Sequence, residues 1–459
     1  MSNEQSQYII DRIEFTSERL GVDPSAPQVF DIRTSVVELN IYENIELPYL
    51  TANLVLTDDV AFKSTVGIKG TERITIGVKA GSEGATIVIK KFMITGIQTE
   101  VSVNERTDVR VLTMIEEHAY LSALKKFSKS YSGRPSKIIS NILSGHLNKT
   151  LMQEHSFGIE AQGKIRVNIP YWNPLQAADW IRDRMSTSNG SPYFLFSSIR
   201  SDNIHLANLQ DMMIQDPWNS AVNQRYTRTQ TAHNLTLDDR DQLRKIFHVK
   251  AHKQTSIESS LRLAQAGAVG SDYKVFDLTS GSQLPNPFHN GLETLNSFTD
   301  KIGSKEDNGL AIDNSLKIGV PTDGGSKYID SYSTKVFSSV VASRQFYDAS
   351  NKPVSGYHDE SLQSGLYKLK IKSAALRAIL MNNVYTITVP GMPYLIHKTA
   401  GVGASIVLDY AMPTADPNNR NKIDPQRSGK FLVYKARHQF IAGMYDVHMD
   451  IVKLTGQKE

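Results

Sequence analysis

The amino-acid sequence predicts a mainly β chain with an α+β segment inside it, and three patterns carry that expectation. Short runs in the first third alternate apolar and polar residues between turn signals. After Glu117 the period changes to that of two amphipathic helices followed by an aromatic strand. The last part returns to β-branched runs punctuated by Pro390-Gly391 and Ala442-Gly443. At about 150 residues per domain, 459 residues correspond to about three domains.

Residues 50–57 place Leu50, Ala52, Leu54 and Leu56 on one face and Thr51, Asn53 and Thr57 on the other, the period of a half-buried strand. Leu54 and Leu56 are therefore expected in a core. Residues 73–78 repeat the pattern through Ile74, Ile76 and Val78, and residues 87–97 and 109–115 are further β-branched runs. Turn signals at 57–59, 67–70 and 81–84 separate them, and strands at this spacing suggest a small barrel or sandwich.

In the middle, residues 135–147 fit a helix with Pro135 in its first turn and Ile138, Ile139, Ile142 and Leu143 on one side. Residues 174–185 fit a second, with Asn173 as N-cap and Leu175, Ala178, Trp180, Ile181 and Met185 on or near its buried stripe. Residues 191–198 read as a strand, and Trp172 and Trp180 are expected to pack in the core. Farther on, a strand at 247–251, a helix at 256–266 stopped by Gly267 and a strand at 273–278 are expected. Residues 279–331 are rich in Gly, Ser, Asn, Asp and Pro and read as peripheral loops or an insertion with little regular structure. A helix at 369–381 precedes strands at 385–389, 405–410, 430–440 and 445–454. The β-rich ends are compatible with a duplication.

Composition narrows the chemistry. Cys is absent, which excludes disulfides and thiolate metal sites. A net charge of +4 with interspersed signs lacks the footprint of specific nucleic-acid binding. No apolar run reaches the roughly 18 residues a membrane span needs, and the N-terminus shows no secretory signal pattern. Residues 158–165 have the spacing of a phosphate-binding loop, but Ile165 stands where Ser or Thr should hold magnesium, so a hairpin loop is expected. His248 and His252 lack the carboxylate of a metal-binding helix and read as an exposed or hydrogen-bonded strand pair. His118, after Glu116 and Glu117, reads as a solvated strand end, and Asp238, Asp239 and Asp241 as a solvated turn. His438 reads as a structural histidine. No serine-nucleophile elbow occurs, and a pair of glycosidase carboxylates is not singled out by sequence. No catalytic residue, cofactor or metal ligand is assigned.

Two segments carry a family resemblance. Residues 38–78 contain Ile41-Tyr42-Glu43 after a strand, Asp58-Asp59 closing a second, and Gly70-Thr71-Glu72 before a third. Residues 428–454 combine a Gly, an aliphatic strand, His438, a Gly443-x-Tyr445 turn and an outgoing strand, preceded by the Pro-Gly turn of residues 389–409. In this order, with the helix and aromatic strand of residues 169–198 between them, they resemble the central baseplate hub proteins of contractile-tailed phages. These are related to the hub part of type VI secretion spikes. Residues 279–366 have no counterpart in the resemblance.

The resemblance implies an α+β, mainly β chain with two tube-like small β-barrels, an α+β domain and an insertion. It divides the chain into a first barrel at 1–116, an α+β domain at 117–215, a discontinuous second barrel at 216–256 and 380–459, and an insertion at 257–379. It also implies a structural subunit in the virion tail, made in the bacterial host cytoplasm. There, a homotrimeric ring would join a six-fold tail tube protein to a three-fold central spike protein among other baseplate proteins. Open strand edges would make Leu50, Thr51, Asn53, Val55, Thr57, Arg73 and Thr75 candidate ring contacts. A type VI secretion spike is the alternative within this class. The chain stops at Glu459, just after the hub-like hairpin, where such spikes are expected to continue. From other classes, a baseplate-borne peptidoglycan hydrolase would need two facing carboxylates in a cleft, and a carbohydrate-binding module an exposed aromatic platform.

Overall fold

Alternation in the first third produces a barrel whose apolar faces converge. The computed structural model describes residues 8–17, 28–58, 68–80, 87–104, 107–153, 165–228, 247–254, 260–277, 282–283, 288–290, 319–322, 325–328, 333–341, 366–382, 384–392, 395, 401–411, 423–424 and 427–453. The first barrel contains β1 (Tyr8–Ser17), β2 (Gln28–Asp31), β3 (Val36–Asn44), β4 (Thr51–Asp58), β5 (Arg73–Ala80), β6 (Val88–Asn104) and β7 (Thr107–Glu116). They pair in the order β2-β1-β5-β6-β7-β4-β3. β2 runs through a short 3-10 turn into β3, so chain continuity closes the ring of strands. Ile13, Phe15, Leu54, Leu56, Ile74, Phe92 and Leu112 fill the interior, as the alternation of residues 50–57 and 73–78 requires.

The middle of the chain has a core of its own. It contains α1 (Glu117–Leu124), β8 (Phe127–Gly133), α2 (Pro135–Leu147), β9 (Leu151–Gln153), β10 (Ile165–Trp172), α3 (Pro174–Arg182), β11 (Tyr193–Ser198), β12 (Ser201–Asn208) and α4 (Leu209–Ile214). Pro135 opens α2, and Asn173 caps α3 by accepting from the Gln176 N–H at 2.8 Å. Ile138, Ile142, Ala178 and Ile181 join the two helices to this core. Trp172 and Trp180 sit half-buried at its margin, 5.6 Å apart, not inside it as expected. Arg184 covers the Trp180 ring, so the margin is held by a cation–π contact.

The second barrel contains β13 (Tyr226–Arg228) and β14 (Ala251–Gln254). An inserted segment follows with α5 (Ser260–Ala266), β15 (Gly270–Asp277), β16 (Ser282–Gln283), β17 (Phe288–Asn290), β18 (Gly319–Thr322), β19 (Gly325–Tyr328), β20 (Lys335–Val341) and α6 (Leu366–Leu380). The barrel resumes with β21 (Val384–Pro390), β22 (Ser405–Tyr410), β23 (Gly429–Ile441) and β24 (Met444–Val452). Around the barrel the order is β13-β22-β23-β24-β21-β14. Residues just before β14 close it: Val249 N–H donates to Thr227 O at 2.9 Å and Lys250 N–H to Thr388 O at 2.8 Å. At the hairpin before β24, Ala442 and Gly443 both have positive φ. At Gly391 a Cβ would overlap the buried Tyr445 ring, so only glycine fits that turn.

The two barrels repeat one another. In chain order, β1, β3, β4, β5, β6 and β7 correspond to β13, β14, β21, β22, β23 and β24, and the two strand orders are then the same. Pairing is antiparallel throughout both, except that β13 lies parallel to β22 where β1 lies antiparallel to β5. Register agrees as well. Ile74 faces Phe92 as Ile406 faces Phe431. A bulge then follows at Ile94/Gly96 in β6 and at Val433/Lys435 in β23.

Of residues 279–331, the short strands β16, β17, β18 and β19 are described, and β15 carries β16, β17 and β20 as neighbours. α5 is described from Ser260 and stops before Gly267, whose φ is positive. The strand expected at 247–251 is a short bridged segment leading into β14. α6 is not peripheral: Ala375, Leu376, Ile379 and Leu380 enter the main core.

Candidate assembly interface

The barrels meet through one strand. β23 pairs with β24 from Leu432 to Ile441, but on its other side it serves both barrels: Gly429–Leu432 face β22, and Lys435–Ile441 face β3 of the first barrel. The result is a continuous 13-stranded sheet. A buried carboxylate fixes this seam. Glu43, on β3, is fully enclosed. Its Oε1 accepts from the Ser198 hydroxyl at 2.9 Å and from the Ile199 N–H. Its Oε2 faces His438 Nε2 at 3.3 Å and the Val402 N–H at 3.4 Å. His438 Nδ1 lies 2.8 Å from the Tyr445 hydroxyl. Burial opposes ionisation of Glu43, but His438, the Ile199 N–H and the Ser198 hydroxyl more than offset it, and the pKa falls from 4.5 to about 2. One side chain thus ties the first barrel, the middle domain and the second barrel.

Glu46, just beyond β3, forms a second tie. It accepts from Tyr434 Oη at 2.9 Å, Arg377 Nη1 at 3.0 Å and Arg182 Nη1 at 3.1 Å. These partners come from β23, α6 and α3. Bonds to charged groups contribute roughly 1.5–3 kcal/mol each at most, and the site is partly solvated. Replacing Glu46 with Ala should lower stability by about 1–3 kcal/mol. Urea unfolding measures the loss, and hydrogen exchange should rise first in α6. An unchanged urea midpoint would show that Glu46 is a passive surface ligand of the two arginines.

The expected ring-contact residues fall in other places than open edges. β4 is paired on one side with β3 and on the other with β7, and β5 with β1 and β6, so neither strand can accept a neighbour's strand. Leu50 is fully buried. Thr51, Asn53, Val55, Thr57, Arg73 and Thr75 are half-buried on the outward face, where only a face-on contact is geometrically open. Alternation identified the faces correctly, but it carries no information on which strands lie at an edge. Among the described pairings in the barrels, β6 beyond Ile94, whose outer side β5 has left, has an unpaired side, as do β14, which pairs only with β21, and β2, which pairs only with β1.

The remaining candidates resolve one by one. His118 is buried, not solvated: its Nε2 lies 2.8 Å from Pro48 O and burial depresses its pKa. His252 lies on β14 beside Tyr385 and Tyr410, and His248 bridges to Thr227. Among the described residues no group of three or more His, Asp or Glu could hold a metal, and no helix is long and apolar enough to cross a membrane. Ile165, Val167 and Ile169 lie in β10, while the loop before them and Asp238, Asp239 and Asp241 lie outside the described residues. Glu72 is buried and gathers the N–H groups of Lys69, Gly70 and Thr71. Glu43 and Glu72 both stood in the motifs quoted from the sequence, but nothing local indicated that the first would meet His438.

No protein-family model matches the chain, and no curated protein sequence matches it significantly. Solved structures do. The 43 kDa tail protein of prophage MuSo2 from Shewanella oneidensis matches with a TM-score of 0.50 and 11% identity, over 96% of this chain and 98% of that one. A tail protein from Neisseria meningitidis MC58 matches with a TM-score of 0.50 and 11% identity, over 97% of each chain. The chain therefore has the hub-like, mainly β fold of these tail proteins.

Proposed function

We propose that this chain, with the fold of phage tail proteins, is the structural hub subunit of a contractile phage tail baseplate. The observation that carries the reading is the pair of barrels with one strand order, joined side by side by strand pairing. A ring of three such chains presents six similar positions, which would let a three-fold spike meet a six-fold tube. The working division of the chain is a barrel at 1–116, an α+β domain at 117–215, a second barrel at 216–256 with 380–459, and an insertion at 257–379. Its role is mechanical, with no catalysis and no cofactor: it seals, positions and transmits force between tail tube, spike and other baseplate proteins in the virion. Native mass measurement on the isolated chain, together with an image of tail particles, tests this. Three copies on the tail axis are expected. Six copies per tail, or none on the axis, would overturn it.

A further inference from the structure

Leu124 and Tyr171 are the two most exposed large apolar side chains described in the middle domain, at 69% and 67%, and they stand together among cations. Leu124 shares one face of α1 with the exposed Leu121, three residues before it. It precedes Lys126 by two residues, and Lys126 Nζ lies 5.6 Å from the centre of the Tyr171 ring. Tyr171 is held outward at a cost. Its φ of 48° lies in the left-handed region that a residue with a Cβ rarely adopts. The strain comes from a bulge: β10 sets Pro170 and Tyr171 against Ser128 alone, which keeps Ile169 in the core and turns Tyr171 to solvent. No burial of the ring compensates that strain within the chain, the mark of a residue kept for what it meets outside. Charge on this face has one sign. From His118 to Gln153 the sequence has six Lys and Arg and no Asp or Glu. Lys125, Lys126, Lys129, Arg134 and Lys137 are exposed. Glu117, just before the run, is paired with Arg73 at 2.7 Å.

We infer that this face docks on an anionic lipid surface, with Leu121, Leu124 and Tyr171 entering the headgroup layer and Lys126 and Lys129 held against lipid phosphates. A nucleic acid or a glycan would answer the lysines and stack on the tyrosine, but it would leave the leucine face of α1 in water. A bilayer with anionic headgroups answers all three. It buries leucine at the acyl boundary, takes tyrosine at headgroup level and attracts lysine. Exposed Ser128 and Ser130 of β8 and Asn168 of β10 add polar groups between the lysines. The chain would lie on the bilayer without crossing it, since no helix among the described residues is long and apolar enough to span. The site belongs to a single chain, so it goes beyond the hub reading and does not depend on it.

Flotation of the full chain with vesicles of phosphatidylcholine, alone or with phosphatidylglycerol added, tests this. Binding to the anionic vesicles should be roughly tenfold stronger or more and should fall as salt rises, because each lysine at such a surface contributes about a fivefold gain. Leu124→Ser and Lys126→Gln should each weaken it about fivefold or more. Val222→Ser changes the most exposed large apolar side chain described, at 79%, and as the control should bind like the native chain. Tyr171→Gly separates docking from folding. Glycine takes this φ freely, so the urea midpoint should hold or rise while vesicle binding falls. A lower midpoint with native binding would make Tyr171 a structural residue and overturn the proposal. Equal binding to both kinds of vesicle, or binding to neither, would overturn it as well. So would a loss in Lys126→Gln with native binding in Leu124→Ser, which is how a site for a soluble polyanion behaves.

Discussion

Replacing Glu43 with Ala should cost roughly 3–5 kcal/mol of stability, the loss typical of removing one partner from a buried charged network. The carboxylate is fully enclosed, and its removal strands the Ser198 hydroxyl, the Ile199 and Val402 N–H groups and His438 Nε2 without water to replace it. Glu43→Gln keeps an acceptor oxygen and should lose about 1–3 kcal/mol. The same group sets an acid response. Its pKa lies at about 2 in the folded chain against 4.5 unfolded. The contribution is therefore fully present above pH 4.5 and is lost as pH falls toward 2. That difference corresponds to about 3 kcal/mol between the two ends of the window. Urea midpoints measured from pH 7 down to pH 3 should fall steeply for the native chain and less for Glu43→Gln. Equal pH slopes in the two proteins would place the acid sensitivity elsewhere.

How much of this was legible beforehand depends on the range of the interaction. Local pattern sufficed where one element explains itself: the alternation of residues 50–57 gave β4 and its inward leucines, and Pro135 and Asn173 marked the starts of α2 and α3. It missed β1, although Ile13 and Phe15 alternate, and β8, whose FSKSYSG sequence is nearly all polar and is a strand because it pairs with β10. It could not reach the seam, since β3 and β23 stand at opposite ends of the chain. It also misassigned His118, because a polar residue flanked by glutamates gives no sign that Pro48 O waits for it inside. The open edges of β6 and β14 were equally hidden: whether a strand has two partners or one is a property of topology, and alternation reads the same in both cases.

Topology also explains why β11 is apolar on both faces. Every residue from Tyr193 to Ser198 is buried. Tyr193 and Leu195 point into the middle domain's core, while Phe194 and Phe196 point into the main core shared with the barrels. The strand is thus a wall between two cores, which is why its pattern does not alternate. Phe196 is the main anchor on the barrel side. It is fully buried, stacks on His205 with centroids 5.3 Å apart, and lies so close to Gly403 that a Cβ there would come within 2.9 Å of its ring. Phe196→Ala should lose about 3–5 kcal/mol, the transfer term plus the unfilled cavity. Leu195→Ala should lose about 2–5 kcal/mol for the same reason on the other face. Their totals overlap, but their locations do not. Hydrogen exchange should quicken around Gly403 and β22 in Phe196→Ala, and in α2 and α3 in Leu195→Ala. If the two variants loosened the same amides, β11 would be the spine of a single core, and the middle domain would have no packing of its own to loosen separately.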